Sequence, residues 1–212
     1  MGMTDEEANL HDLLADVKQH LRSKESAKVV LIGDVMMDCY IHGYANNLNS
    51  RAPVPVLREV SREEDVGAAA HVARGLNSMH LEPHLFGVVG DDEAGMNIIE
   101  SLEIEGVSTD GLAIIEDRIT TVKTRMLASR ESLIREEQLL LRWDIEDDNP
   151  VPPNASLAMY EQAHLALENC AALVVSDYGQ GVVTDAGSEV IFSAAKEKNV
   201  PVIADPKLTG LH

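Results

Sequence analysis

Four short apolar runs, rich in β-branched residues and each closed by a small residue, recur along the 212-residue chain: Lys28-Val-Val-Leu-Ile-Gly33, His84-Leu-Phe-Gly-Val-Val-Gly90, Ala171-Ala-Leu-Val-Val-Ser176 and Val200-Pro-Val-Ile-Ala204. Their apolar residues are continuous instead of alternating with polar ones. That is the pattern of strands buried on both faces, as in a parallel sheet. Between and around them, apolar residues at helical spacing predict helices at about 67–80, 93–105, 155–168 and 185–198. Strands alternating with helices of this length argue for an α/β fold with a mainly parallel sheet. The length suits one domain or a piece of a larger one.

Two stretches break the rhythm. Residues 39–44 and 54–60 are β-prone around a polar Asn-rich loop, and 120–128 and 138–145 form another β-prone pair around a charged connector. They predict a small second sheet standing off the main one, and the natural role of such an element is a lid that shields a reaction from water. Ahead of the first strand, Thr4 with Glu7 makes a capping box, and Leu10, Leu13, Leu14, Val17 and Leu21 recur at helical spacing. The expected organisation is therefore a helical extension over 1–27 and a domain over 28–212, with lid strands at about 39–60 and 113–145.

The charge balance narrows the partners. Seventeen Lys and Arg face 36 Asp and Glu, a net charge of −19 spread along the chain. A field of that sign repels a phosphate backbone or an anionic membrane, so neither nucleic acid nor membrane is an expected partner. The longest apolar runs fall far short of the roughly 20 residues needed to span a bilayer. The first thirty residues carry no basic segment leading into an apolar one, which places the chain in the cytoplasm. Cys39 and Cys170 read as two buried thiols and no zinc framework is visible, so the sequence assigns no metal ligands.

In open α/β sheets ligands bind beyond the carboxyl ends of the strands. Four clusters lie there. Gly33-Asp-Val-Met-Met-Asp38 places two carboxylates after the first run; Asp38 can accept hydrogen bonds from sugar hydroxyls, while Asp34 equally fits a turn-stabilising role. Gly67-Ala-Ala-Ala-His71-Val-Ala-Arg74-Gly75 opens a helix with small residues. Gly90-Asp-Asp92-Glu-Ala-Gly95 reads as a structural helix start, acids complementing the helix dipole. Ser176-Asp177-Tyr178-Gly-Gln-Gly181 and Ala204-Asp205-Pro206-Lys207 end the two late strands, where a carboxylate and a lysine can face phosphate. The P-loop, nucleophile-elbow, HExxH and GxGxxG patterns do not occur.

Taken together and in this order, these phrases, with Ala52-Pro-Val-Pro-Val56, Thr121-Val-Lys123-Thr-Arg125 and Gln138-Leu-Leu-Leu-Arg142-Trp-Asp144, resemble the PfkB (ribokinase-like) carbohydrate kinases from about residue 28 onward, and within them most closely the heptose-7-phosphate kinases. The resemblance implies a ribokinase-like three-layer α/β sandwich with a mainly parallel sheet and a small β lid, which often serves as a homodimer interface. It implies a sugar phosphate as substrate, with ATP and Mg²⁺ for the complete family domain. By the same resemblance Asp38 and Gly67 are on the sugar side, with His71 in place of the family's Asn and Ala68 in place of its second Gly. Lys123, Arg125 and Arg142 are near the substrate, and Lys123 and Arg125 are the cations suited to a sugar phosphate. Asp177, Asp205 and Lys207 match the nucleotide or phosphate side. Arg51 stands where Glu is usual and Gln180 where Lys is usual.

The family's catalytic base is the Asp of a Gly-Ala-Gly-Asp segment at a helix N-terminus. The 212 residues contain no GxGD. The resemblance therefore implies no catalytic base among them, a truncated family domain with the base beyond His212, and inactivity for these residues alone. The leading expectation is a kinase that converts heptose 7-phosphate to the 1,7-bisphosphate on the way to ADP-heptose and the lipopolysaccharide core. The alternatives are a non-catalytic sugar-phosphate-binding or dimerisation module, or a kinase for another sugar.

Overall fold

A computed structural model describes residues 26–130 and 134–207, so the helix expected over 4–23 lies outside the described residues. Among the described residues nine strands and four helices follow one another: β1 (Lys28–Gly33), β2 (Val35–Leu48), β3 (Pro55–Gly67), α1 (Ala68–Ser78), β4 (Glu82–Gly90), α2 (Glu93–Ile104), β5 (Leu112–Ile115), β6 (Thr121–Arg130), β7 (Ile134–Ile145), α3 (Pro153–Ala166), β8 (Ala172–Ser176), α4 (Asp185–Glu197) and β9 (Val202–Asp205).

The continuous apolar runs become a five-stranded sheet in the order β5-β4-β1-β8-β9, every pairing parallel. β1 is central, and Val30, Leu31 and Ile32 are shut off from solvent completely. Successive side chains alternate between the two faces. Val30 and Ile32 pack with Phe86, Leu173 and Val175 against Tyr160 and Ala163 of α3 and Ile191 of α4. Leu31, with Leu85 and Val89, packs against Ala69, Ala70 and Ala73 of α1 and Ile98 and Leu102 of α2. The small residues of α1 therefore let the helix approach the sheet closely. Each large side chain buried in this way contributes roughly 1.5–3 kcal/mol. The outcome is a three-layer sandwich, as the family resemblance implies.

The β-prone interruptions form a second, four-stranded sheet in the order β3-β2-β6-β7, with β2 and β6 parallel and the two outer pairs antiparallel. Its boundaries differ from the expected ones. β2 begins at Val35, with only Asp34 between it and β1, not at 39. β3 continues through the acidic Glu63-Glu-Asp65 stretch to Gly67, as an exposed edge strand can, since its outward side chains stay in water. The span from 113 also divides: Leu112–Ile115 pairs in parallel with Gly87–Gly90 as the outer strand of the main sheet, and the second sheet resumes only at Thr121.

Asp34, the single residue between β1 and β2, is fully buried. Its carboxylate accepts N–H donors from Tyr178 (2.7 Å) and Gln180 (3.1 Å) on one oxygen and Val182 (3.1 Å) on the other. Its own N–H donates to the Ser176 carbonyl and its carbonyl accepts from the Ala69 N–H. Burial pushes its carboxyl above the ordinary carboxylate range against the pull of those three donors. Of the two roles open to Asp34 in the sequence, the structure shows the loop-holding one. Asp34→Asn turns an amide NH₂ toward at least one buried N–H, and a group left unsatisfied there costs about 1–3 kcal/mol. Urea denaturation is expected to show that loss as a lower midpoint with an unchanged slope.

Candidate functional site

The second sheet grows out of the carboxyl edge of the main one, which is where open α/β sheets bind ligands. Strand alternation then decides which side chains face that edge. Along β2, Met37, Cys39 and Ile41 are buried, while Asp38, Tyr40 and His42 lie on the other, part-exposed face. The register puts Asp38 opposite Lys123 and Tyr40 opposite Arg125. It also puts Lys123 opposite Asp144 and Arg125 opposite Arg142. Four residues picked out in the sequence thus share one face.

Within that face the charges are paired. An Arg125 Nη donates to Asp38 Oδ1 at 2.5 Å, with both side chains about a quarter exposed, and the guanidinium lies 5.2 Å from the centre of the Tyr40 ring. Gly67 closes the other side of Asp38: a Cβ at Gly67 would sit 2.6 Å from Asp38 Oδ2, so only glycine fits without moving the carboxylate. Lys123 donates to Glu146 at 2.8 Å and lies 3.7 Å from Asp144. Arg142 grips Asp144 with two hydrogen bonds of 2.8 and 2.6 Å, which hold the Asp144 carboxyl below its ordinary range.

On the other side, at the ends of β8 and β9, Asp177 accepts the Gly179 N–H (2.8 Å) and the Lys207 N–H (3.3 Å). The Lys207 ammonium donates to the Tyr178 carbonyl at 2.9 Å. The Asp205 carbonyl accepts the Asp177 N–H at 3.0 Å. These three residues form one exposed group at the ends of β8 and β9. Gln180 joins the two sides: its amide accepts from the Thr121 hydroxyl (3.2 Å) and donates to Glu146 (3.2 Å), and its carbonyl accepts from Arg118 (2.9 Å).

Two other residues flagged in the sequence lie apart from this network. His71 is exposed on α1 and makes no side-chain hydrogen bond among the described residues, and Arg51 is exposed in the loop between β2 and β3. Asp92 caps α2 through the Gly95 N–H and also accepts the Thr120 N–H, which makes that acidic turn the structural helix start its pattern suggests. Sequence reasoning missed Tyr40, Glu146 and the pairing role of Asp144. The only available signal was their spacing of two residues from Asp38, Asp144 and Arg142.

Solved structures with this architecture are ribokinase-like sugar kinases. Arabidopsis thaliana ribokinase complexed with ribose and ATP superposes with a TM-score of 0.59 at 16% identity, over 88% of this chain and 55% of its own. A possible 1-phosphofructokinase from Thermotoga maritima gives 0.63 at 14% identity, over 85% of this chain and 53% of its own. At those identities the likeness speaks for the fold. The sequence itself goes further: the model of the pfkB family carbohydrate kinases matches residues 26–210, and the chain belongs to that family. The bifunctional protein HldE of Haemophilus influenzae is 37% identical over 192 residues, 90% of this chain and 38% of its own length. HldE of Helicobacter pylori is 33% identical over 182 residues, 85% of this chain and 37% of its own. The chain thus spans well under half the length of these curated relatives.

Ala68, the residue in place of the family's second glycine, has a φ of 51°. An L-residue in the left-handed region carries about 1–2 kcal/mol of strain. Ala68→Gly removes it, offset by roughly 0.4–1 kcal/mol of extra freedom in the unfolded chain. The variant is therefore expected to be as stable as the parent or up to about 1.5 kcal/mol more stable in urea denaturation. A clear loss would refute the strain at Ala68.

Proposed function

We propose that the protein acts as a sugar kinase on a phosphorylated sugar, most specifically that it binds heptose 7-phosphate for phosphorylation at the anomeric hydroxyl by ATP, a step toward ADP-heptose. The observation that carries this reading is the Asp38–Arg125–Gly67 cluster. It sets a hydroxyl-accepting carboxylate beside a guanidinium on the face above the carboxyl edge of the sheet. The identity to bifunctional HldE proteins over 90% of the chain supports the choice of sugar.

In this reading Asp38 accepts hydrogen bonds from the sugar hydroxyls, and charged acceptors of this kind contribute roughly 1.5–3 kcal/mol each. Arg125, backed by Lys123 and Arg142, holds the sugar's phosphate. ATP supplies the transferred phosphoryl group from the side of Asp205 and Lys207, where the exposed Lys207 ammonium suits an anionic ligand. Among the described residues no three carboxylate, histidine or cysteine side chains converge to hold a metal ion. No step is therefore assigned to Mg²⁺ held by these residues. The base belongs to a Gly-Ala-Gly-Asp segment that the 212 residues do not contain. By themselves they are expected to turn over at least about 10²–10⁴-fold more slowly than a kinase that has one.

A second reading, a sugar-phosphate-binding module without turnover, is favoured by Gln180, which stands at a usual lysine position and is committed to Thr121 and Glu146. Calorimetry with heptose 7-phosphate, other hexose phosphates and ATP separates the two. The kinase reading expects binding of both heptose 7-phosphate and ATP, with Asp38→Asn weakening the sugar about tenfold or more. Sugar binding without ATP supports the module, and tighter binding of another sugar phosphate overturns the heptose assignment.

The reading includes a homodimer through the second sheet, on which Val56, Val60, Leu139, Leu141 and Trp143 expose apolar surface. Sedimentation velocity is expected to show a dimer that Leu141→Glu converts to monomer. A parent chain that is monomeric at high micromolar concentration would rule the interface out.

A further inference from the structure

Among the described residues, the three cations singled out on the candidate sugar-binding face, Lys123, Arg125 and Arg142, each have a carboxylate partner. Lys123 lies between Glu146 and Asp144, and Arg142 is held at two points by Asp144, its neighbour two residues along the same strand. Three cations, Lys123, Arg125 and Arg142, thus face three carboxylates, Asp38, Asp144 and Glu146. Arg125 differs from the other two. It holds one carboxylate through one short contact, and that carboxylate is the acceptor a sugar hydroxyl needs. One Asp38 oxygen is covered by Arg125 and the other lies against Gly67.

A neutral sugar that takes Asp38 must pull it from Arg125 and leave the guanidinium without an anion. A phosphorylated sugar brings its own anion. Arg125 needs little reorganisation to accept it, because the Tyr40 ring covers one face of the guanidinium and keeps it over the sheet. A guanidinium also binds phosphate in two-point geometry at least as well as carboxylate. We propose that Arg125 is an exchange residue: the substrate's phosphate replaces Asp38 on the guanidinium while the substrate's hydroxyls take Asp38, so that the Asp38–Arg125 pair selects phosphorylated over unphosphorylated sugars. This rests on the sugar-phosphate reading above and adds to it the origin of the selectivity.

Competition of this kind has a reciprocal signature. Removing Arg125 uncovers Asp38, and removing the charge of Asp38 uncovers Arg125. The test is calorimetry on the full chain with three matched pairs, heptose 7-phosphate and heptose, ribose 5-phosphate and ribose, fructose 6-phosphate and fructose, together with inorganic phosphate. The parent is expected to favour the phosphorylated member of its preferred pair about tenfold or more. In Arg125→Gln the phosphorylated sugar weakens by about that factor while the free sugar binds as well or better, so the preference collapses. In Asp38→Asn, inorganic phosphate is expected to bind several-fold more tightly although sugars bind less well. A contact that merely holds phosphate would not produce that gain.

If the heptose pair binds and its preference survives Arg125→Gln, or if inorganic phosphate binds no better to Asp38→Asn, the exchange is overturned while the heptose reading stands. If another pair shows the full pattern and the heptose pair does not bind, the exchange stands and the heptose reading falls. Absence of binding by every sugar and by phosphate overturns both. Should Arg125→Gln fail to give a cooperative thermal melt, the Asp38→Asn phosphate measurement decides alone.

Discussion

The buried carboxylate of Asp34 is the constraint on which the rest of the molecule depends. It leaves no hydrogen-bonding group of its own idle: the backbone N–H is tied to β8, the carbonyl to α1, and the carboxylate to three N–H groups of the 178–182 loop. A charge without contact with solvent is tolerable only when its acceptor positions are filled in this way. The strand that carries Asp38 and the loop that carries Tyr178 and Gln180 therefore cannot be placed independently. They converge on one residue.

How much of this was legible in the sequence follows the range of the forces involved. The continuous apolar runs announced β1, β4 and β8 because burial leaves a local imprint on composition, and β9 forms from its run although its residues are exposed at the sheet edge. Helix α2 was legible from its acidic start. β5 was assigned to the lid strands from 113, because a run of four apolar residues does not say which sheet it joins. The role of Asp34 was open because its three donors lie 144 to 148 positions away. A carboxylate after a strand looks the same whether it holds a loop or a ligand.

The candidate site shows the same division. Residue types were readable: Asp38, Lys123, Arg125 and Arg142 were picked out individually, and the structure brings them to one face. What could not be read was who partners whom, since that is a matter of register. Asp38 meets Lys123 and Tyr40 meets Arg125 because β2 and β6 run parallel in one specific alignment. A shift of one residue would send these side chains to the opposite face. In a chain of net charge −19, pairing is the default fate of a cation. The informative quantity is what each cation is paired with, and Arg125 is held by a single carboxylate, that of Asp38.

Trp143 is the only tryptophan in the chain. It lies between Arg142 and Asp144 on β7, directly across from Thr124, and is about half exposed. Indole emission from this protein therefore originates from one place, the second sheet, on the face opposite the charged one. A change in colour or intensity on adding a sugar, a nucleotide or a second copy of the chain reports on that sheet with no contribution from another indole. The molecule carries its own single fluorescent reporter on the second sheet.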